Sequence, residues 1–232
     1  ATYRQASRFD PAIGRGDPFN RLLTRQNRFR LTAESIRDTA LAVGGLLDER
    51  IGGPSVYPFQ PEGYYSDKGR WKWPQSPGRD LYRRGLYTFW RRTTPYPSFQ
   101  IFDAPTRETC TVQRPRTNTP LQALVTLNER TFVQAAHGLA VRVLRGAGDS
   151  TGSRLEHAFR ITVGRRPDQS EKAILGRILE EQLEHYRQDS EAAGALVSQG
   201  AVSSQGLDQA TLAAWTGLAN VLLNLDEAIT RE

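Results

Sequence analysis

Apolar residues first fall into a regular rhythm after Thr32, where Ile36, Ala40, Val43 and Leu47 recur at the 3.6-residue period of a helix with one buried face. Thr32 offers a side-chain cap for the free N–H groups of the first turn, and Gly52-Gly53-Pro54 forbids continuation, so a helix is predicted within 32–53. Ahead of it, residues 1–31 are loop-rich, and Asp17 followed by Pro18 predicts a short helix over 18–26. From Thr119 the helical period returns and persists. Thr119-Pro120 opens "PLQALVTLN", whose Leu121, Leu124 and Leu127 are expected in the core. "ERTFVQAAHGLAVRVLR" carries Phe132, Ala136, Leu139 and Val143 on one stripe before "GAGDSTGS" interrupts it. "RLEHAFRITVGRRP" closes at Gly164 and Pro167. Asp168 with Glu171 forms a capping box for the next helix, Ser190 is placed to cap "EAAGALVSQG", and Asp208 caps a last helix with Leu212, Trp215, Ala219 and Leu222 inward. Five or six helices over 120–232 predict a bundle.

Between these helical blocks the pattern breaks down. Residues 54–100 hold seven prolines together with Tyr57, Phe59, Tyr64, Tyr65, Trp71 and Trp73. Proline and glycine at this density exclude long regular elements, while so much aromatic surface argues for order, with "GLYTFW" readable as a short strand. The fold class that follows is mainly α: a C-terminal helical bundle with an irregular aromatic, Pro-rich excursion in the N-terminal half. A single domain over 1–232 is expected, with a lead-in over 1–31, a helix in 32–53, an irregular basic aromatic region over 54–119 and the bundle over 120–232. Tyr64, Tyr65, Trp71 and Trp73 are read either as packing or as an aromatic surface for a sugar, a cofactor face or a partner chain.

Charge divides along the same line. Of 31 Lys+Arg and 25 Asp+Glu, residues 1–119 hold 20 and 11, and residues 120–232 hold 11 and 14, so the front half is net positive and the back half net negative. Arginine supplies 28 of the cations, the residue suited to bidentate carboxylate or phosphate pairing. No nucleic-acid-binding module or basic stripe accompanies it, so nucleic acid is not the expected partner. No apolar run approaches the roughly 20 residues that span a bilayer.

Catalytic patterns are sparse. His137, His157 and His185 form neither HxxxH nor HExxH, which leaves no expected metal site. One cysteine, Cys110, permits no internal disulfide, and no histidine lies within twenty residues to activate it, so it reads as a buried structural thiol. Glu180, Glu181 and Glu184 read as a solvated helix face. Two carboxylates about 5 to 10 Å apart would suffice for glycoside hydrolysis, and spacing alone singles out no such pair. The polar run that precedes Thr119 contains Arg107, Glu108, Arg114, Arg116 and Asn118. Its arginines either clamp an anionic partner or pair with Asp103, Glu108 or the carboxylates of the 33–50 helix.

Several long stretches resemble one bacterial family. "NRLLTRQNRFRLTAESIRDTALAVGGLL", "IGGPSVYPFQPEGYY", "YRRGLYTFWRRTTPYPSFQIFDAPTRETCTVQRPRTNTPLQALVTLNERTFVQAA", "AFRITVGRRP" and "LAAWTGLANVLLNLDEAITR" are similar, in that order, to the planctomycete-type domain of unknown function number fifteen fifty-three. The resemblance implies a C-terminal domain of a large exported protein, periplasmic or at the cell surface, that follows a signal peptide and a cytochrome c-like domain with CxxCH. This chain has neither feature, so it reads as the C-terminal piece of a longer polypeptide, and any haem belongs to a neighbouring domain or partner. The leading expectation is a non-catalytic accessory or interaction domain that docks through Arg84, Arg92, Arg114 and Arg116. The alternative is an enzyme domain acting on polysaccharide or an oxidisable organic substrate, with the aromatic excursion as its cleft.

Overall fold

The computed structural model describes residues 5, 7, 10–64 and 72–231. Its centre is a helix that cannot tolerate water on most of its circumference: Arg130–Gly146 (α5), in which Phe132, Ala135, Ala136, Leu139, Ala140 and Val143 are all buried. Small residues on this helix let neighbours come close. A Cβ added to Gly138 would lie 2.3 Å from the Gly44 carbonyl oxygen, and one added to Gly44 would lie 2.5 Å from that of Ala135. Glycine at both positions therefore allows backbone-to-backbone approach between α5 and the end of Ala33–Val43 (α2), whose Ile36, Ala40 and Val43 face the core.

On α5 also pack Pro120–Asn128 (α4), Thr151–Val163 (α6) and Gln209–Leu223 (α9), and Gln169–Gln188 (α7) and Ser190–Ser198 (α8) complete the bundle around α9. Leu212, Trp215, Leu218, Ala219 and Leu222 of α9 interlock with the α5 stripe in one continuous core. The predicted starts hold for α2 (Thr32), α4 (Thr119), α7 (Asp168 with Glu171) and α9 (Asp208), and at α4 the structure adds a capping box between Thr119 and Gln122. Asp189, one residue before the expected Ser190, caps α8. Ahead of α2 lie a single helical turn, Pro11–Gly14 (α1), and a two-residue strand, Phe29–Arg30 (β1). Pro97–Ile101 (α3) precedes α4, and Asp226–Ile229 (α10) leads into Thr230–Arg231 (β2). β1 and β2 pair antiparallel, Phe29 opposite Arg231, and so join the segment just ahead of α2 to the C-terminal end of the described chain.

Four expectations are corrected. Residues 18–26 form turns rather than a helix, because the buried Asp17 carboxylate accepts from the backbone N–H of both Arg21 and Leu22 and so closes the chain too tightly for a helical continuation. The helix begun at Thr32 stops at Val43, where Gly44 meets α5, and Gly45 at φ +70° turns the chain away. "GLYTFW" forms a 3₁₀ turn over Gly85–Tyr87 and an isolated bridge between Thr88 and Val56, not a strand. The fourth concerns α4. Its Leu121 and Leu124 are each 55% exposed, while Gln122 and Thr126 are each 1% exposed. The helix is turned polar side inward, because Gln122 donates to the Ile101 carbonyl (2.9 Å) and to the Thr117 hydroxyl (3.0 Å), and Thr126 donates to Asn224. Buried carbonyls without partners elsewhere set its rotation, at the expense of two leucines.

Candidate functional site

An irregular chain has many carbonyls that no helix or sheet satisfies, and here arginines do much of that work. Arg37 on α2 is buried and donates to the carbonyls of Arg83 (2.7 Å) and Leu81 (2.6 Å). Arg83, also buried, donates to those of Pro54 (3.1 Å), Arg50 (3.2 Å) and Gly52, and its guanidinium lies 3.9 Å from the Tyr87 ring centroid. Arg30 donates to Leu31, Phe102 and Thr117 carbonyls and to the Asp103 carboxylate at 2.6 Å. Part of the basic charge of the front half is thus spent inside the molecule, on backbone oxygens rather than on a partner.

Asp103 is the second half of this joint. It sits at φ +61°, a conformation that a non-glycine residue adopts only when its surroundings impose it, and its carboxylate accepts from Arg30 and from the backbone N–H and hydroxyl of Thr117 (both 2.8 Å). Burial alone would raise its pKa, but the Thr117 donors and the Arg30 guanidinium outweigh it and hold the carboxyl below the usual range. Residues 105–116 therefore leave the body just after Asp103 and the buried Ala104 and return to it at Thr117, as a strap fastened at both ends.

Along the strap, residues 106–113 are exposed, including a fully exposed Val112. Cys110 is exposed too, which corrects its reading as a buried thiol: fastening at Asp103 and Thr117 holds this stretch outside the core. Three arginines clip the strap down. Arg107 lies over the Trp90 ring (4.3 Å to the centroid), and Trp90 donates to the Thr106 carbonyl. Arg114 pairs with both oxygens of Glu34 in the first turn of α2 (3.1 Å each), one of the carboxylate pairings open from the sequence. Arg116 lies over Phe29 (4.6 Å). Val112, Gln113, Arg114, Pro115 and Arg116 line a surface concavity of about 660 Å³.

The turn at Gly85 meets the same end of α2. A Cβ on Gly85 would lie 3.0 Å from Glu34 Cα, and its N–H donates to Asp38 at 2.6 Å. Burial raises the Asp38 pKa, against the Gly85 N–H and the nearby charges of Arg37 and Arg84. Arg84 is exposed, and Leu86 next to it is 74% exposed. Two points far apart in sequence, the Gly85 turn and Arg114, thus both meet the first two turns of α2, through Asp38 and Glu34. Of the expected arginines, Arg84 lies near Asp38 and Arg114 pairs with Glu34, both on α2, whereas Arg116 lies over Phe29 of β1. Arg92 and Asn118 are exposed, and no bonded contact among the described residues joins them to the group.

The aromatic set divides. Tyr65 and Trp71 lie outside the described residues. Tyr64 is partly exposed, its hydroxyl near the Pro95 carbonyl and Gln100. Trp73 is packed: its indole N–H donates to the Pro58 carbonyl (2.7 Å), and its ring meets Tyr57 edge-on and stacks with the buried Tyr96. Sequence reasoning named Asp103 as a pairing partner but missed Arg30 and Gln122, which with it position the strap, and Arg37, which holds the 81–83 stretch. The signal for them was indirect, a Pro-rich stretch whose carbonyls had to find donors somewhere. Among the described residues no group of three or more His, Cys, Asp or Glu is arranged to hold a metal ion, and no helix is long and apolar enough to cross a membrane.

No curated protein and no solved structure matches this chain. A family model matches residues 1–179, from the lead-in to Leu179 of α7, and so takes in α2, the excursion and the whole strap, whereas the "LAAWTGLANVLLNLDEAITR" stretch lies beyond it. With more than half of its length matched, the chain belongs to the family described as PSD1, protein of unknown function (DUF1553).

Proposed function

We propose that this is a non-catalytic interaction domain of an exported, cytochrome c-associated protein or redox assembly, periplasmic or cell-surface, and that it docks to a haem-bearing partner or neighbouring domain. The observation that supports the docking reading is that the Gly85 turn and Arg114 both meet the start of α2, while Leu86, next to Arg84, and Val112, two residues before Arg114, stand exposed. Exposed apolar residues alongside arginines have the composition of a protein-binding patch. The haem association and the compartment rest on the family resemblance. The enzyme alternative needs carboxylates in a concave site beside tryptophan or tyrosine of the excursion, and Trp73 is committed to packing instead.

Cys110 makes the test direct, because the chain's one thiol lies on the strap and is exposed. A photo-crosslinker attached there, in the protein mixed with the cytochrome c-type domain of its own assembly, is expected to give a covalent adduct that carries haem absorbance. The Arg84→Glu/Arg114→Glu variant is expected to lose that adduct. Equal adduct yield from the variant, or none from the wild type, would refute the docking surface.

A further inference from the structure

The structure assigns a second site, independent of the docking reading: a cleft between α6, α7 and α10 that binds a small organic monocation with an apolar body. The cleft encloses about 470 Å³, a volume suited to a small molecule. Its floor is apolar, formed by Phe159 of α6, Leu175 and the 45%-exposed Ile174 of α7, and Leu225 ahead of α10.

Charge at the rim selects the ligand's sign. Glu171, Asp226 and Glu227 face two guanidiniums, those of Arg28 and Arg165, which leaves one net negative charge. Arg165 does not offset it freely. It lies over the Phe159 ring (4.9 Å to the centroid), with bonds of 2.6 and 2.8 Å to Glu171 and 2.7 and 2.9 Å to Glu227. These bonds hold Glu171 ionised, its pKa lowered to about 2 chiefly by Arg165. Arg28 is paired to Asp226 at 2.7 Å. At the N-terminus of α7, which would favour an anion, the Glu171 N–H is engaged by the Asp168 carboxylate and the Asp168 N–H by that of Glu171, and these two carboxylates place negative charge there. Each rim carboxylate can accept one more donor, so an ammonium head can join the network while its hydrocarbon body covers Ile174 and Leu225.

Phenethylammonium and 3-phenylpropionate, alike in body and opposite in charge, discriminate. Titrated against the protein with leucine and isoleucine methyl groups observed by NMR, phenethylammonium is expected to shift Ile174, Leu175 and Leu225 and to bind at least about fivefold more tightly than the anion, the scale of one exposed ion pair. Glu227→Gln is expected to remove that preference and Ile174→Trp to block both probes, with a urea melt showing that each variant is folded. Equal affinity for the two probes, shifts scattered away from the cleft, or no saturable binding of the cation overturns the assignment.

Discussion

Replacing Gly138 by alanine sets two effects of known size against each other. Alanine is the better helix former by about 1 kcal/mol, and Gly138 lies inside α5 where that gain would apply. Its Cβ, however, would stand 2.3 Å from the Gly44 carbonyl oxygen and 3.2 Å from the Gly44 carbonyl carbon. An ordinary C···O contact needs about 3.3 Å, so α2 and α5 must part by about 1 Å. The obstacle is backbone, with no rotamer to swing aside. A gap of that size forfeits a quarter to a half of the dispersion energy along the α2–α5 contact, and overpacking of this kind costs roughly 3 kcal/mol. The net expectation is a loss of about 2 kcal/mol, or about 4–8 °C in Tm for a chain of this length. Gly176 in α7 is the internal control, since a Cβ there meets nothing within 4 Å. Gly176→Ala is expected to gain about 0.5–1 kcal/mol, with no opposing term. Urea unfolding followed by helical circular dichroism measures both. A Gly138→Ala variant as stable as the wild type would refute the close-approach argument, whatever Gly176→Ala does.

Two further expectations test the interior. Gln122→Leu leaves the Ile101 carbonyl and the Thr119 N–H without their partner and is expected to cost about 1–3 kcal/mol, whereas Leu124→Ser on the same helix should cost less than about 0.5 kcal/mol; the reverse order in urea midpoints would contradict the polar-inward rotation of α4. His137 is buried with neither ring nitrogen hydrogen-bonded, and burial lowers its pKa below 6.5, so the unfolded chain takes up the proton first. Stability that is full above pH 6.5 is therefore lost as pH falls toward the folded value; His137→Leu should flatten unfolding free energy between pH 5 and 7, and an unchanged slope would show that His137 does not titrate in this way.

The helical half was legible because its signals are local. Capping residues at Thr119, Asp168 and Asp208 bond to N–H groups three residues away, and the stripe of Phe132, Ala136, Leu139 and Val143 follows from the helix period alone. The end of α2 was misread for the opposite reason. Nothing near Val43 in the sequence announces that α5 will press against Gly44, a contact ninety residues away, so the period seemed to run on to Leu47.

The strap and α4 show the same division in sharper form. Hydropathy placed Leu121 and Leu124 inside, and it would have been right had the neighbouring backbone been regular. Instead α3 ends at Ile101 with carbonyls pointing into the interior, and the chain beyond Asp103 has no ladder to pair with. A buried carbonyl without a donor costs about 1–3 kcal/mol, more than the roughly 0.8–1.5 kcal/mol a half-exposed leucine gains by full burial. Gln122, Thr126 and Arg30 satisfy several such groups at once, so the polar face wins the interior and the leucines are left outside. Asp103 accepts an unfavourable φ for the same reason, since only there does its carboxylate reach Arg30, Thr117 and Gln122 together. The exposed strap, with Val112, Cys110 and its arginines, is thus a consequence of where an irregular chain finds its hydrogen bonds. The residues that fix it read in sequence as ordinary surface polar groups.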